Sequence, residues 1–154
     1  MALFKSIEEL LEGSESNWKE SVSQLMSQSA SVLAESLVGY KLSNVSADTI
    51  VQYGQVIGFK CSKSGLKYSQ LRRYVDEIKT IGEAVDKFNK IKLFRIHLLH
   101  GYSRQKEELE PFYRFFDGLI KLNKIQDEED FDVFIHFIDS VTAHYEAFRA
   151  DSAN

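Results

Sequence analysis

The chain has 154 residues, 44% of them hydrophobic and 27% charged, with a formal net charge of −4. This is the composition of one soluble globular domain, spanning 1–154. One proline and eight glycines argue against a turn-dense β fold, and the single Cys61 excludes an internal disulfide, which fits a reducing interior.

Leu3, Ile7, Leu10 and Leu11 mark a short leading helix that ends at Gly13 and a Ser-rich turn. Lys5, Glu8 and Glu9 interrupt this segment before a signal-peptide core can form. No later apolar run approaches the roughly 20 residues needed to cross a bilayer. The expectation is a cytoplasmic protein with no membrane partner. A long amphipathic segment then runs from about Asn17 to Leu37, with Trp18, Val22, Leu25, Met26, Val32 and Leu33 on its apolar side and Gly39 closing it. Its Ser-rich centre has weak helix propensity, so packing must hold it. Together these residues, 1–45, form the N-terminal helices.

Asp48 or Ser46 caps the next helix, which carries Ile50, Val51, Tyr53, Val56 and Ile57 and stops around Gly58 before a Cys-Ser-Lys-Ser-Gly loop. The clearest helix follows: Leu71, Tyr74, Val75, Ile78, Ile81, Val85 and Phe88 step at threes and fours. After Asn89 another helix places Ile91, Phe94, Leu98, Leu99 and Tyr102 on one stripe. Pro111 belongs in the first turn of a further helix, where its missing N–H costs nothing. Asp127 caps the last, whose stripe is Phe131, Phe134, Ile135, Ile138, Val141, Tyr145 and Phe148. Sustained period-2 alternation is absent. The pattern predicts an all-α fold, a compact bundle of five to seven helices.

Charge is distributed unevenly along this bundle. Between Lys60 and Lys106, twelve Lys/Arg face four acids, a local balance of +8, whereas the other 107 residues carry −12. A polyanion is attracted to the first region and repelled by the second; RNA, DNA and an acidic protein all satisfy that condition. Arg72 and Lys79 lie two helical turns apart, about 10.5 Å along the axis, a ladder that suits successive phosphates. Arg72 with Asp76 and Arg73 with Glu77 are also i,i+4 pairs of the kind that merely stabilise a helix. Lys67, Arg95, Arg104 and Lys106 lack an acid three or four residues before them, although Glu110 follows Lys106. Of the interleaved aromatics, Tyr74, Phe88, Phe94 and Tyr102 fall on apolar stripes and read as core; Tyr68 is the exception. Backbone recognition therefore fits better than base readout.

No catalytic constellation is present in the sequence. His97 and His100 share a helix face and His136 and His144 are eight apart, yet no pair of histidines flanks a glutamate at zinc-hydrolase spacing. Adjacent acids such as Glu107-Glu108 diverge around a helix. There is no nucleophile elbow and no phosphate-binding glycine loop. Cys61 reads as a plain, partly buried thiol. The chain is expected to be no enzyme and to hold no metal or cofactor.

The segments Asp48 to Gly58 and Gly65-Leu-Lys-Tyr-Ser-Gln-Leu-Arg-Arg-Tyr74 resemble the small subunit of type III-A CRISPR (Csm) effector complexes. Ser69, Gln70, Leu71 and Arg72 match the family's cap and its helix start of Gln, aliphatic and Arg. Leu93 to Arg104, ending in Gly101-Tyr-Ser-Arg104, resembles a helix closed by a small-residue turn and an arginine. Phe137 to Phe148, with Val141-Thr-Ala-His-Tyr145, resembles the aromatic C-terminal helix. Lys67 and Tyr68 replace the family's usual threonines, which shifts the expected cap to Ser69.

The resemblance covers about 46–148, the family-like RNA-binding helical core. It implies a non-catalytic subunit of an antiviral ribonucleoprotein, several copies of which stack beside the backbone subunits along guide RNA and target RNA. Its partners are then those RNAs, the backbone and large subunits, and further copies of itself. Lys67, Arg72, Arg73, Lys79, Arg95, Arg104 and Lys106 are the candidate RNA-binding residues. The alternative is a helical adaptor whose basic face docks an acidic protein.

Overall fold

The computed structural model describes residues 2–149. In chain order they form α1 (Ile7–Leu10), α2 (Ser16–Met26), α3 (Ala30–Glu35), a 3-10 turn at Leu42–Asn44, α4 (Ala47–Lys63), α5 (Tyr68–Gly82), α6 (Lys87–Arg104), α7 (Lys106–Lys121) and α8 (Glu128–Phe148). The all-α expectation holds, and the described residues contain no strand. The eight α-helices exceed the expected five to seven because serine chemistry breaks the long N-terminal segment in two. The Ser27 hydroxyl donates to the Gln24 carbonyl at 2.6 Å, closing α2. Ser29 then accepts from the Val32 N–H at 3.3 Å and opens α3. Such hydroxyls compete with the helical ladder for the same backbone groups. The break also leaves Val32 exposed, not on the core side.

α4 shows the largest departure from the pattern. Ser46, not Asp48, is its cap, accepting from the Thr49 N–H at 3.2 Å. The helix runs through Gly58 to Lys63, so Cys61 lies inside it and is fully buried rather than partly so. Gly54 and Gly58 are contact points with α8, not stops. A Cβ at Gly54 would fall 1.7 Å from Ser140 Oγ, and one at Gly58 would fall 2.8 Å from both the Val141 oxygen and the Tyr145 nitrogen. Contacts rise together along both chains (Gly54 on Ser140, Gly58 on His144, Phe59 on Phe148), so α4 and α8 run in the same direction. Ser140 Oγ donates to the Ile50 carbonyl at 3.0 Å, tying the two together.

α5 ends at Gly82, short of Val85 and Phe88. Val85 stands fully exposed in the following turn, while Phe88 opens α6 and packs edge-on against Phe131, ring centroids 6.3 Å apart. Periodicity carried the stripe across the bend because Phe88 serves the same core from the next helix. α6 starts at Lys87 rather than after Asn89, and Leu99 lies outside its buried stripe. Gly101 to Ser103 remain helical, and Gln105 alone joins α6 to α7. That early restart puts Pro111 in the interior of α7 rather than its first turn, where the ring removes one ladder bond. Asp127 caps α8 as expected, accepting from the Asp130 N–H at 2.9 Å.

The core is aromatic: Tyr53, Phe115 and Phe137 pack together, Phe116 meets Phe134 edge-on, and Tyr74 stacks on Phe112 and meets Phe94 edge-on. No helix of the described residues is long and apolar enough to cross a membrane.

Candidate nucleic-acid interface

α5 and α6 pack as an antiparallel pair. Tyr74 marks their approach: its hydroxyl lies 1.9 Å from where a Cβ on Gly101 would be, so a side chain at 101 would have to displace it. One end of Tyr74 is thereby sunk between Phe94 and Phe112. Beside it lies an open groove of about 880 Å³. Lys67, Gln70, Arg73 and Glu77 line one wall; Ile96, His97, His100 and Arg104 line the other.

The groove gathers three of the seven candidate cations, Lys67, Arg73 and Arg104. None of these makes an ion pair among the described residues. Glu77 is the one acid in the wall among the described residues, and its Oε2 lies 2.6 Å from His97 Nδ1. The expected i,i+4 pair of Arg73 with Glu77 is therefore not formed. Lys67 is the residue preceding α5, which starts at Tyr68, so the cap does not shift to Ser69.

The other four candidates lie elsewhere. Arg72 does form its expected pair, 3.6 Å from Asp76, with the guanidinium 5.9 Å from the Tyr68 ring centre. Lys79 reaches across to Asp139 on α8 at 2.8 Å, so the Arg72 and Lys79 ladder is pulled in two directions. Arg95 turns away from the groove towards α7, where its Nε donates to the buried Asp117 carboxylate at 2.7 Å and the guanidinium is held more firmly protonated. Lys106 is exposed at the first position of α7 outside the groove, and Glu110 instead accepts from the Tyr102 hydroxyl and Arg114.

The rest of the basic stretch is largely engaged inside the fold. Lys87 pairs with Glu128 at 2.5 Å, Lys90 with Asp86 at 3.5 Å, and burial draws the Lys60 pKa down as its ammonium donates to the Met26 carbonyl. Of the interleaved aromatics, Tyr74, Phe88, Phe94 and Tyr102 do belong to the core or its edge, and Tyr68, the expected exception, also packs against it. Tyr102 stacks on Tyr113 with centroids 4.1 Å apart, and Tyr68 carries the Arg149 guanidinium 4.3 Å from its centre.

Gln70, His97 and His100 join the groove without having been singled out for it. The spacing His97, His100, Arg104 repeats at three and four residues on α6, a signal of a shared face that a search for metal ligands passes over.

The groove can hold a polyanion electrostatically. It presents separated cations, amide and imidazole donors, and no uncommitted carboxylate, but no nucleophile paired with a base. The Csm2 Type III-A family model matches residues 44–151. No curated protein and no solved structure matches the chain. The matched span includes the whole of α4 to α8 and leaves α1 to α3 outside it. The chain belongs to the Csm2 Type III-A family, the small subunit of type III-A CRISPR Csm effector complexes.

Proposed function

We propose that the chain is a non-catalytic small subunit that holds RNA by its sugar-phosphate backbone in the groove between α5 and α6. The observation that carries this reading is the convergence of Lys67, Arg73 and Arg104 on one open groove whose only acid among the described residues is already bonded to His97. Phosphate contacts of this kind position a nucleic acid without reading its sequence. Sequence selection is left to guide pairing, and cleavage to other subunits of the complex. Residues 46–148 are the RNA-binding core and 1–45 buttress it through contacts such as Trp18 Nε1 donating to Gln55 at 3.2 Å. Copies of the chain stack beside the backbone subunits along guide and target RNA, in antiviral defence in the cytoplasm.

The test has two arms. A tagged wild-type chain should bring down a small guide RNA with its sibling subunits from its host. RNA binding by that complex and by the free chain should weaken with salt, and Arg73→Glu with Arg104→Glu should abolish most of that dependence. The assembled complex is the fairer arm, because stacked copies add avidity. Capture of an acidic protein alone, with no RNA and no salt slope, would favour an adaptor docking through the same cations.

A further inference from the structure

We propose that His97 is a positioning residue that keeps Arg73 free for phosphate by holding Glu77 across the groove. The inference rests on the RNA-backbone reading above. α5 contains its own internal comparison. Arg72 and Asp76, then Arg73 and Glu77, are consecutive arginine-to-acid pairs at the same i,i+4 spacing on one helix. Their intrinsic tendencies to pair are of the same order. The first closes at 3.6 Å and the second does not form.

What differs is the partner offered by the next helix. Glu77 Oε2 lies 2.6 Å from His97 Nδ1. A carboxylate only accepts, so the hydrogen sits on Nδ1 and His97 is the donor. Neutral or charged, the imidazole makes the same bond from that nitrogen. The bond draws the carboxylate towards α6 and away from the Arg73 guanidinium. Arg73 then faces the groove with Lys67 and Arg104. Without His97, Glu77 has one cation at pairing distance on its own helix, and a third of the groove's positive charge is neutralised. His97 need not touch RNA for this.

The test is a double-mutant cycle on the full chain with a fluorescein-labelled RNA duplex, titrated across a salt series. His97→Ala should weaken binding by about two- to five-fold, the scale of one exposed ion pair, and lower the slope of log K against log salt by about 1. Glu77→Gln, which cannot neutralise Arg73, should raise affinity more in the His97→Ala background than in the wild type, and His97→Asn, which keeps a donor at the Nδ1 position, should retain the wild-type slope. Thermal denaturation of each variant separates this from misfolding, since a purely structural role for His97 would not be rescued by Glu77→Gln. If Arg73→Ala lowers the slope but His97→Ala does not, or if the Glu77→Gln effect is equal in both backgrounds, the positioning role is wrong and the RNA reading stands. If the wild type itself has no salt slope and Arg73→Glu with Arg104→Glu changes nothing, both fall together.

Discussion

Gly58 lies against the backbone of Tyr145: a Cβ on Gly58 would come within 2.8 Å of the Tyr145 nitrogen and within 2.8 Å of the His144 Cβ. Backbone cannot yield as a flexible side chain can, so overpacking here costs about 1–3 kcal/mol or more. A helical Gly→Ala change is otherwise worth about 1 kcal/mol of stabilisation. Gly58→Ala should therefore lower stability in urea denaturation against its own propensity, and Gly58→Val should lower it further. Gly39→Ala, where nothing lies within 4 Å, should be close to neutral. A stabilised Gly58→Ala would mean that α4 and α8 are not in this contact.

Asp130 should make the fold acid-sensitive. Its side chain is 1% exposed and accepts from Lys41 Nζ at 2.9 Å, the Ser43 N–H at 2.9 Å and the Gln126 N–H at 3.1 Å. Burial works against its ionisation, yet these hydrogen bonds outweigh it and hold the carboxyl below the ordinary 3.8. A depressed pKa means the native state binds fewer protons than the unfolded one. The stabilisation is therefore complete above that ordinary value and is lost as pH falls from about 5 through it and on to the native pKa. Asp130→Asn should cost about 2–4 kcal/mol at neutral pH. The gap between wild type and variant should narrow below pH 4, measured by urea midpoints across a pH series. A constant gap would show that the carboxylate's charge contributes nothing.

How far these relationships could be read in advance depended on their range. The cap at Asp127 and the stripe from Phe131 to Phe148 were legible because a helix start and a buried face are local properties, spaced by one turn. The break at Ser27 to Ser29 was not, since the same serines are tolerated inside a helix until their hydroxyls take its backbone groups. Gly58 looked like a stop, but its meaning lies in α8, more than eighty residues away. The candidate cations divide in the same way. Arg72 and Asp76 pair as their spacing predicts, whereas Arg95 with Asp117, Lys79 with Asp139 and Glu77 with His97 are tertiary choices that no i,i+4 rule contains.

Cys61 should report on the opening of α4. It is fully buried, and burial pushes its thiol well above the ordinary range, so little nucleophilic thiolate forms. The native chain should resist a thiol reagent at neutral pH, while the urea-unfolded chain reacts fully. As the only cysteine, it then gives an unambiguous labelling rate. Labelling of the native protein as fast as that of the unfolded chain would contradict the burial of this face of α4.

Five of the seven candidate cations should separate into two classes when each is changed to alanine. Lys67, Arg73 and Arg104 have no ion-pair partner among the described residues, so on the proposed RNA reading removing one should delete a phosphate contact and lower the salt slope of RNA binding by about 1. Lys79 and Arg95 are held by Asp139 and Asp117, so their removal should leave that slope unchanged. Arg95→Ala should instead lower stability, because it strands the buried Asp117 carboxylate. The Arg95 side chain is 40% exposed and the pair partly screened, which keeps the cost to about 1–2 kcal/mol. Lysine at position 95 should recover part of that loss, since it restores the charge without the planar fork. If Arg95→Ala lowers the salt slope as much as Arg73→Ala does, then α6 meets RNA along its α7 side as well, and the groove between α5 and α6 is only part of the binding face.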